Sequence, residues 1–321
     1  MAASSRYRAA IIGAGRIGSG FDAPDSPHVL THAHAIATHS RADLAAIVDT
    51  DHVRGVEEAR KWGTTFFPDI DDMFTTMKPD IIVIATPDDT HAKLLQQVVG
   101  KNPRLIICEK PVATSEGEAH MLRELNIGVP ILVNFRRRFD TIAQRVAREI
   151  QDGVHGTVIS ASGIYDRGIF HNGSHMLDLA RMLFGEMKSA TPHFSLDDLP
   201  DGLPSVSGVA TFERCPEFFL MHGDGRHYSL FELDICMEKK RIRFFDEGMR
   251  IEISKVVNDP LFAGFKTLGE GLVGQTSLKQ AMPALIAHAV AVLDGTEMPR
   301  SSLDNALKTH DACAAFAGNL K

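Results

Sequence analysis

Arg8-Ala9-Ala10-Ile11-Ile12 runs straight into Gly13-Ala14-Gly15-Arg16-Ile17-Gly18, and no other stretch restricts the fold as tightly. An apolar run feeding G-x-G-x-x-G is the fingerprint of a strand, a tight turn and a helix that together hold a dinucleotide. Gly13 lets the chain turn, Gly15 lets the backbone approach a pyrophosphate, and Gly18 lets the helix pack close to the strand. The amides at the helix start, carried by Arg16, Ile17 and their neighbours, face the diphosphate, where the helix dipole favours negative charge.

Leu44-Ala45-Ala46-Ile47-Val48-Asp49 reads as a second buried strand, closed by a carboxylate. In this arrangement the carboxylate accepts hydrogen bonds from the adenosine ribose and repels a 2′-phosphate. With no Arg or Lys in Thr50-Asp51, Asp49 favours NAD over NADP; its other reading is a helix or turn cap. Asp49 lies farther from the glycines than the usual ~20 residues. The excess is Gly20-Phe21-Asp22-Ala23-Pro24-Asp25-Ser26-Pro27, whose prolines and aspartates read as an inserted loop. The insertion delays the helix and is expected to bring Phe21 to His34 near the reactive end of the cofactor.

Strand and helix patterns alternate through about residue 110 and predict a doubly wound parallel sheet, with Pro130-Ile131-Leu132-Val133-Asn134-Phe135 as the last strand of that layer. Leu105-Ile106-Ile107-Cys108 stops at Glu109-Lys110-Pro111, which puts Lys110 at the carboxyl edge of that sheet, where open α/β folds bind ligands. A lysine there can donate to a substrate oxygen and, if partly desolvated, exchange a proton near neutral pH. The plainer reading is a surface lysine beside Glu109.

Beyond that point come a helix over Thr141 to Gln151, another over Ser174 to Phe184, and then mostly extended segments around an Asp246-Glu247-Gly248 turn. Runs of strands without intervening helices predict a largely antiparallel sheet. A chain of 321 residues is long for one core, so two domains are expected: a Rossmann domain over 1–135 and an α+β domain over 136–321. The helices Leu278 to Leu293 and Leu303 to Phe316 fall in the second.

A net charge of -7 argues against a nucleic-acid surface. The first six residues lack an apolar signal core, and no apolar run is long enough to span a bilayer. Cys108, Cys215, Cys236 and Cys313 are scattered and read as reduced core residues, which together with the other features suggests a cytoplasmic protein.

Gly13 to Gly18, Ala85-Thr86-Pro87 with His91, Glu109-Lys110-Pro111, Asn134 to Phe139, and His171-Asn172-Gly173-Ser174-His175-Met176-Leu177-Asp178 occur in this order. The set resembles the glucose-fructose oxidoreductase/inositol dehydrogenase/rhizopine catabolism (Gfo/Idh/MocA) family over nearly the whole chain. The resemblance implies that Thr86, Pro87, His91 and Glu109 line the cofactor. It also implies that Lys110, after which a cis proline can follow, touches both nicotinamide and substrate. His175 matches the family histidine that acts as acid/base on the substrate carbinol, with a reference pKa near ~6.5.

Many relatives carry an aspartate four residues before that histidine; this chain has His171. Either His171 binds substrate, Asn172 takes the orienting role, or the chemistry is altered. His171 and His175 lack an HExxH pattern or a third ligand, so no metal is expected. The Arg136-Arg137-Arg138 run either grips an anionic substrate group, with Arg137 as the candidate, or is structural.

The expectation is an NAD-dependent oxidoreductase acting on a secondary alcohol or ketone of a sugar, cyclitol or sugar derivative, with Lys110 and His175 handling the proton. The resemblance also implies a homo-oligomer, dimer or tetramer, paired through the open sheet face. Two other readings stand beside it: an NAD-binding sensor without turnover, and a net non-redox enzyme using NAD as an internal carrier.

Overall fold

The computed structural model describes residues 6–198 and 204–318; the first five residues, part of the signal-peptide reading, lie outside them. The chain divides into two compact units, Met1–Phe139 with Lys279–Leu307, and Asp140–Leu278 with Lys308–Lys321.

The first unit contains β1 (Tyr7–Ile12), α1 (His32–Thr38), β2 (Ala42–Val48), α2 (His52–Trp62), β3 (Thr65–Phe67), α3 (Ile70–Thr76), β4 (Ile81–Ile84), α4 (His91–Val99), β5 (Leu105–Cys108), α5 (Glu116–Glu124) and β6 (Ile131–Val133). Its six strands lie in the order β3-β2-β1-β4-β5-β6 and every pair is parallel. β4 and β5 are buried along their full length, as central strands covered by helices on both faces require. Local signals set the helix ends: the Asp51 carboxylate caps α2 at the Val53 and Arg54 amides, and Gly63 closes it in the left-handed region.

The second unit opens with α6 (Thr141–Gln151), β7 (Val158–Tyr165) and α7 (Gly173–Phe184). It continues through β8 (Met187–Leu196), β9 (Ser205–Phe212), β10 (Cys215–His222), β11 (Glu232–Met237), β12 (Lys240–Phe245), β13 (Arg250–Asn258), β14 (Lys266–Leu268) and β15 (Leu272–Gln275). The sheet order is β14-β13-β12-β11-β7-β10-β9-β8, with β15 also on β13. Among the described residues of this sheet only β7 and β10 pair in parallel; the other pairs are antiparallel. α6 and α7 cover one face, where Val146, Met176 and Phe184 pack with Phe212, Phe218 and Ile235.

The observed units differ from the expected division at 135/136. Two helices remain, α8 (Ala281–Leu293) and α9 (Leu303–Ala317). α8 belongs to the first unit, not the second, because it is apolar nearly all round and packs on α1 and β5. The turn Arg136–Phe139 stays there too, the Phe139 ring lying 5.7 Å from that of His288 on α8. α9 starts in the first unit, capped by the Ser302 hydroxyl at the Asn305 amide.

Cys236 corrects the reading of all four cysteines as core residues. The other three are buried, but alternation along β11 turns Cys236 outward while Leu233, Ile235 and Met237 point in. No helix among the described residues is long and apolar enough to cross a membrane.

Candidate active site

The strands of the first unit are parallel, so β1, β2, β4, β5 and β6 deliver their last residues to one edge. Strand order reverses about β1, with β2 on one side and β4 on the other, which makes the gap beyond β1 and β4 the switch point where such sheets bind ligands. The glycine turn sits there. Gly13 has φ +101°, and a Cβ on it would lie 2.6 Å from the Ala85 carbonyl oxygen at the end of β4. A Cβ on Gly18 would collide with the Gly13 carbonyl. A Cβ on Gly15 would meet nothing within 4 Å, so the space above the turn is open, as an approaching diphosphate needs. Arg16 is exposed and Ile17 half-buried beside it. The helix that follows is one π-type turn, Arg16–Gly20; the inserted segment then intervenes, and α1 starts only at His32.

Asp49, at the end of β2, is tied into this turn. Its Oδ2 accepts from the Ala14 amide at 2.7 Å and its Oδ1 from the Asp51 amide at 2.8 Å. Arg54 adds a fork, Nε to Oδ2 at 3.1 Å and Nη2 to Oδ1 at 2.7 Å. Burial pushes the Asp49 carboxyl up, but the Arg54 and amide hydrogen bonds and the Arg54 charge outweigh it and hold it below the ordinary aspartate value.

At the end of β4, the Thr86 hydroxyl meets that of Thr90 at 2.6 Å, and Pro87 is exposed. His91 is buried, its Nδ1 2.7 Å from the Pro111 carbonyl and its Nε2 2.9 Å from that of Thr86. The ring thus ties together the loops after β4 and β5.

Glu109 and Lys110 follow β5, and the Lys110-Pro111 bond is cis. Glu109 is buried, and its Oε1 is 2.7 Å from His32 Nε2 on α1 and accepts from Asn134 Nδ2 at 2.6 Å. Burial raises the Glu109 carboxyl; the His32 hydrogen bond and charge, the Asn134 amide and the Lys110 charge lower it further, to below the usual glutamate value. Burial also holds the Arg136 guanidinium below its ordinary value, opposed by the Glu109 charge. Arg137 is half-buried on the same short turn.

The sequence offers His28, His32, His34 and His39 around the insertion as loop or helix-face histidines with no acidic partner. His32 and His34 do lie on α1, but the fold gives each an acidic partner: His32 pairs with Glu109, and His34 Nδ1 lies 2.9 Å from Asp22 Oδ2, both imidazoles being buried. Asp22 also accepts from the Leu30 and Thr31 amides and the Thr31 hydroxyl, so this one carboxylate folds the inserted segment. These partners are separated by 12 and 77 residues, and no local pattern signals such pairs.

In the second unit, His175 lies half-buried in the first turn of α7, and His171 and Asn172 lie on the π-type turn before it. His171 is exposed, and its carbonyl accepts from the Ser174 hydroxyl. Sequence reading missed Asp166, which is fully buried just after β7. Its carboxylate accepts from Asn172 Nδ2 at 2.8 Å and from the Leu230 amide at 3.0 Å. Asn172 is therefore held by a buried carboxylate.

A parallel sheet with a glycine turn at its switch point and a carboxylate at the end of the next strand has the form of a dinucleotide-binding domain. Residues 7–126 match the model of an oxidoreductase family with an NAD-binding Rossmann fold (GFO_IDH_MocA). It is 32% identical to an inositol 2-dehydrogenase of Rubrobacter xylanophilus over 136 residues, 40% of this chain and 39% of the relative. It is 29% identical to the inositol 2-dehydrogenase of Rhizobium meliloti over 199 residues, 56% of this chain and 55% of that one. The matches thus span about half the length of these curated relatives or less. In fold, the chain is similar to an Agrobacterium radiobacter oxidoreductase solved with NAD+, L-tartaric acid and magnesium. That likeness has a TM-score of 0.75 at 20% identity and covers 98% of this chain and 97% of the other.

Proposed function

We propose that this protein is an NAD-dependent oxidoreductase acting on a secondary alcohol or ketone carbon of a sugar, cyclitol or sugar derivative. The observation that carries the reading is the placement of Lys110, next to a buried, fixed Glu109, on the sheet edge that also bears the open glycine turn. The two inositol dehydrogenase relatives support the polyol class.

The open space at Gly15 and the Ala14–Asp49 arrangement fit a dinucleotide, and NAD, when bound, supplies the hydride acceptor. Glu109 stays ionised because His32 and Asn134 satisfy it, so it keeps a negative charge beside Lys110. Lys110 Nζ holds the substrate hydroxyl and His175 takes or returns its proton. His171 and Asn172, the latter fixed by Asp166, and Arg137 contact the substrate. A homo-oligomer, paired through the second sheet's uncovered face, completes the proposal.

The test is NADH absorbance with purified protein, NAD and a panel of cyclitols, sugars and sugar acids. NADH forms with at least one, and Lys110→Ala lowers kcat by about 100-fold or more while NADH binding is kept. Product without net NADH would favour the internal carrier; NAD binding without product, the sensor. Full turnover by Lys110→Ala would remove the mechanism.

A further inference from the structure

The carboxylate that should meet the adenosine ribose is already saturated. An ionised carboxylate offers about four acceptor sites, and the Ala14 amide, the Asp51 amide and the two arms of Arg54 occupy four on Asp49. The two amides belong to the turn and to the start of α2 and are fixed by the fold. Arg54 is the movable partner: its side chain is 49% exposed, and it also lies 3.4 Å from Asp51. A ribose diol therefore gains Asp49 only by displacing Arg54. A 2′-phosphate would find the opposite situation, a guanidinium fork in place and the repelling carboxylate already neutralised.

We propose that Arg54 is a cofactor-specificity residue: it covers Asp49 against the ribose of NAD and offers its guanidinium to the 2′-phosphate of NADP. The proposal deepens the dinucleotide reading and rests on it. Arg54 lies outside the stretch directly after Asp49 where sequence reading sought a basic residue. Its place in the first turn of α2, with the Asp51 cap before it, turns it back onto Asp49. The planar fork matters, because it alone satisfies both oxygens; a lysine supplies charge at a single point. The domain then accepts both nucleotides, and the balance between them is set at this one ion pair.

The test is fluorescence titration of the purified full-length protein with NADH and with NADPH, comparing the wild type, Arg54→Gln and Arg54→Lys. The readout is the ratio of the two dissociation constants, which is independent of turnover. Arg54→Gln is expected to weaken NADPH by about tenfold or more, as expected when a charge-assisted hydrogen bond is lost. NADH should bind that variant as tightly as the wild type or more so, and Arg54→Lys should fall between. Raising the salt concentration should weaken NADPH more than NADH in the wild type and equally in Arg54→Gln. A ratio within about twofold of wild type in Arg54→Gln overturns the proposal, as does a wild type that binds NADH but never NADPH. Absence of binding by either nucleotide overturns the dinucleotide reading itself, a different result from a failed ratio.

Discussion

His288 shows how a single buried side chain gives this molecule a pH response. Its Nε2 accepts the Arg300 amide at 3.0 Å while its Nδ1 is 2.7 Å from Glu297, so the fold is built around a neutral ring with the proton on Nδ1. Burial pushes the imidazole below its ordinary value; the Glu297 hydrogen bond opposes this, and the Arg300 charge reinforces it. Burial and Arg41 move His39 the same way. With a folded value below the unfolded ~6.5, this stability is complete above ~6.5 and is lost as pH falls through the folded value. Thermal melting between about pH 8 and pH 5 should show a fall in Tm that begins in the histidine range, before carboxylates titrate. His288→Gln should melt lower at neutral pH but with a flatter profile; an unchanged slope would contradict the assignment. Asp22, Asp49 and Glu109, all held below their ordinary values, lose their contributions only at lower pH.

At the scale of elements, the legible parts were those with short-range causes. The glycine turn, the apolar runs of β4 and β5 and the Ser115 cap of α5 follow from patterns a few residues wide. β8 was not foreseen, because Met187–Leu196 is an edge strand with little burial, and its Pro192 sits where the register with β9 shifts. β14 and β15, exposed throughout, offer no alternation either. The insertion was legible as a loop, but its internal order was not, since Asp22 gathers partners from residues 30 to 34. Asp22→Ala would leave the Thr31 hydroxyl and the buried His34 ring without their acceptor. We expect a loss of about 2–4 kcal/mol in urea unfolding, together with faster proteolysis within residues 21–31. A loss below about 0.5 kcal/mol would mean that the loop is held by other contacts.

For the whole molecule, the order of motifs along the chain made the two sheets legible but not the return of α8 to the first unit, because its apolar pattern does not say which sheet it covers. The uncovered face of the second sheet carries Ile159, Phe219 and Met221, which alternate with inward Phe218 and Leu220. Beside them, Asp234, Arg241, Arg243 and Glu252 form an ion-pair ladder across β11, β12 and β13. An apolar patch rimmed by charge suits a second copy. Light scattering should give a dimer or tetramer, and Phe219→Glu with Met221→Glu should give monomer; a monomeric wild type would end that part of the account.

The central claim, a nucleotide lying across the Gly13–Gly18 turn, is tested most directly with Gly15→Val. Gly15 is extended, with φ -73° and ψ -171°, and its Cβ direction is open, so valine is compatible with the fold while filling the diphosphate's space. Trp62 is the chain's single tryptophan, and its indole donates to the Ser19 carbonyl beside the turn. Its emission should fall saturably as NADH is added to the wild type. In Gly15→Val the melting temperature should be unchanged and the quenching lost. Equal quenching in both proteins, or none in the wild type, would contradict the account.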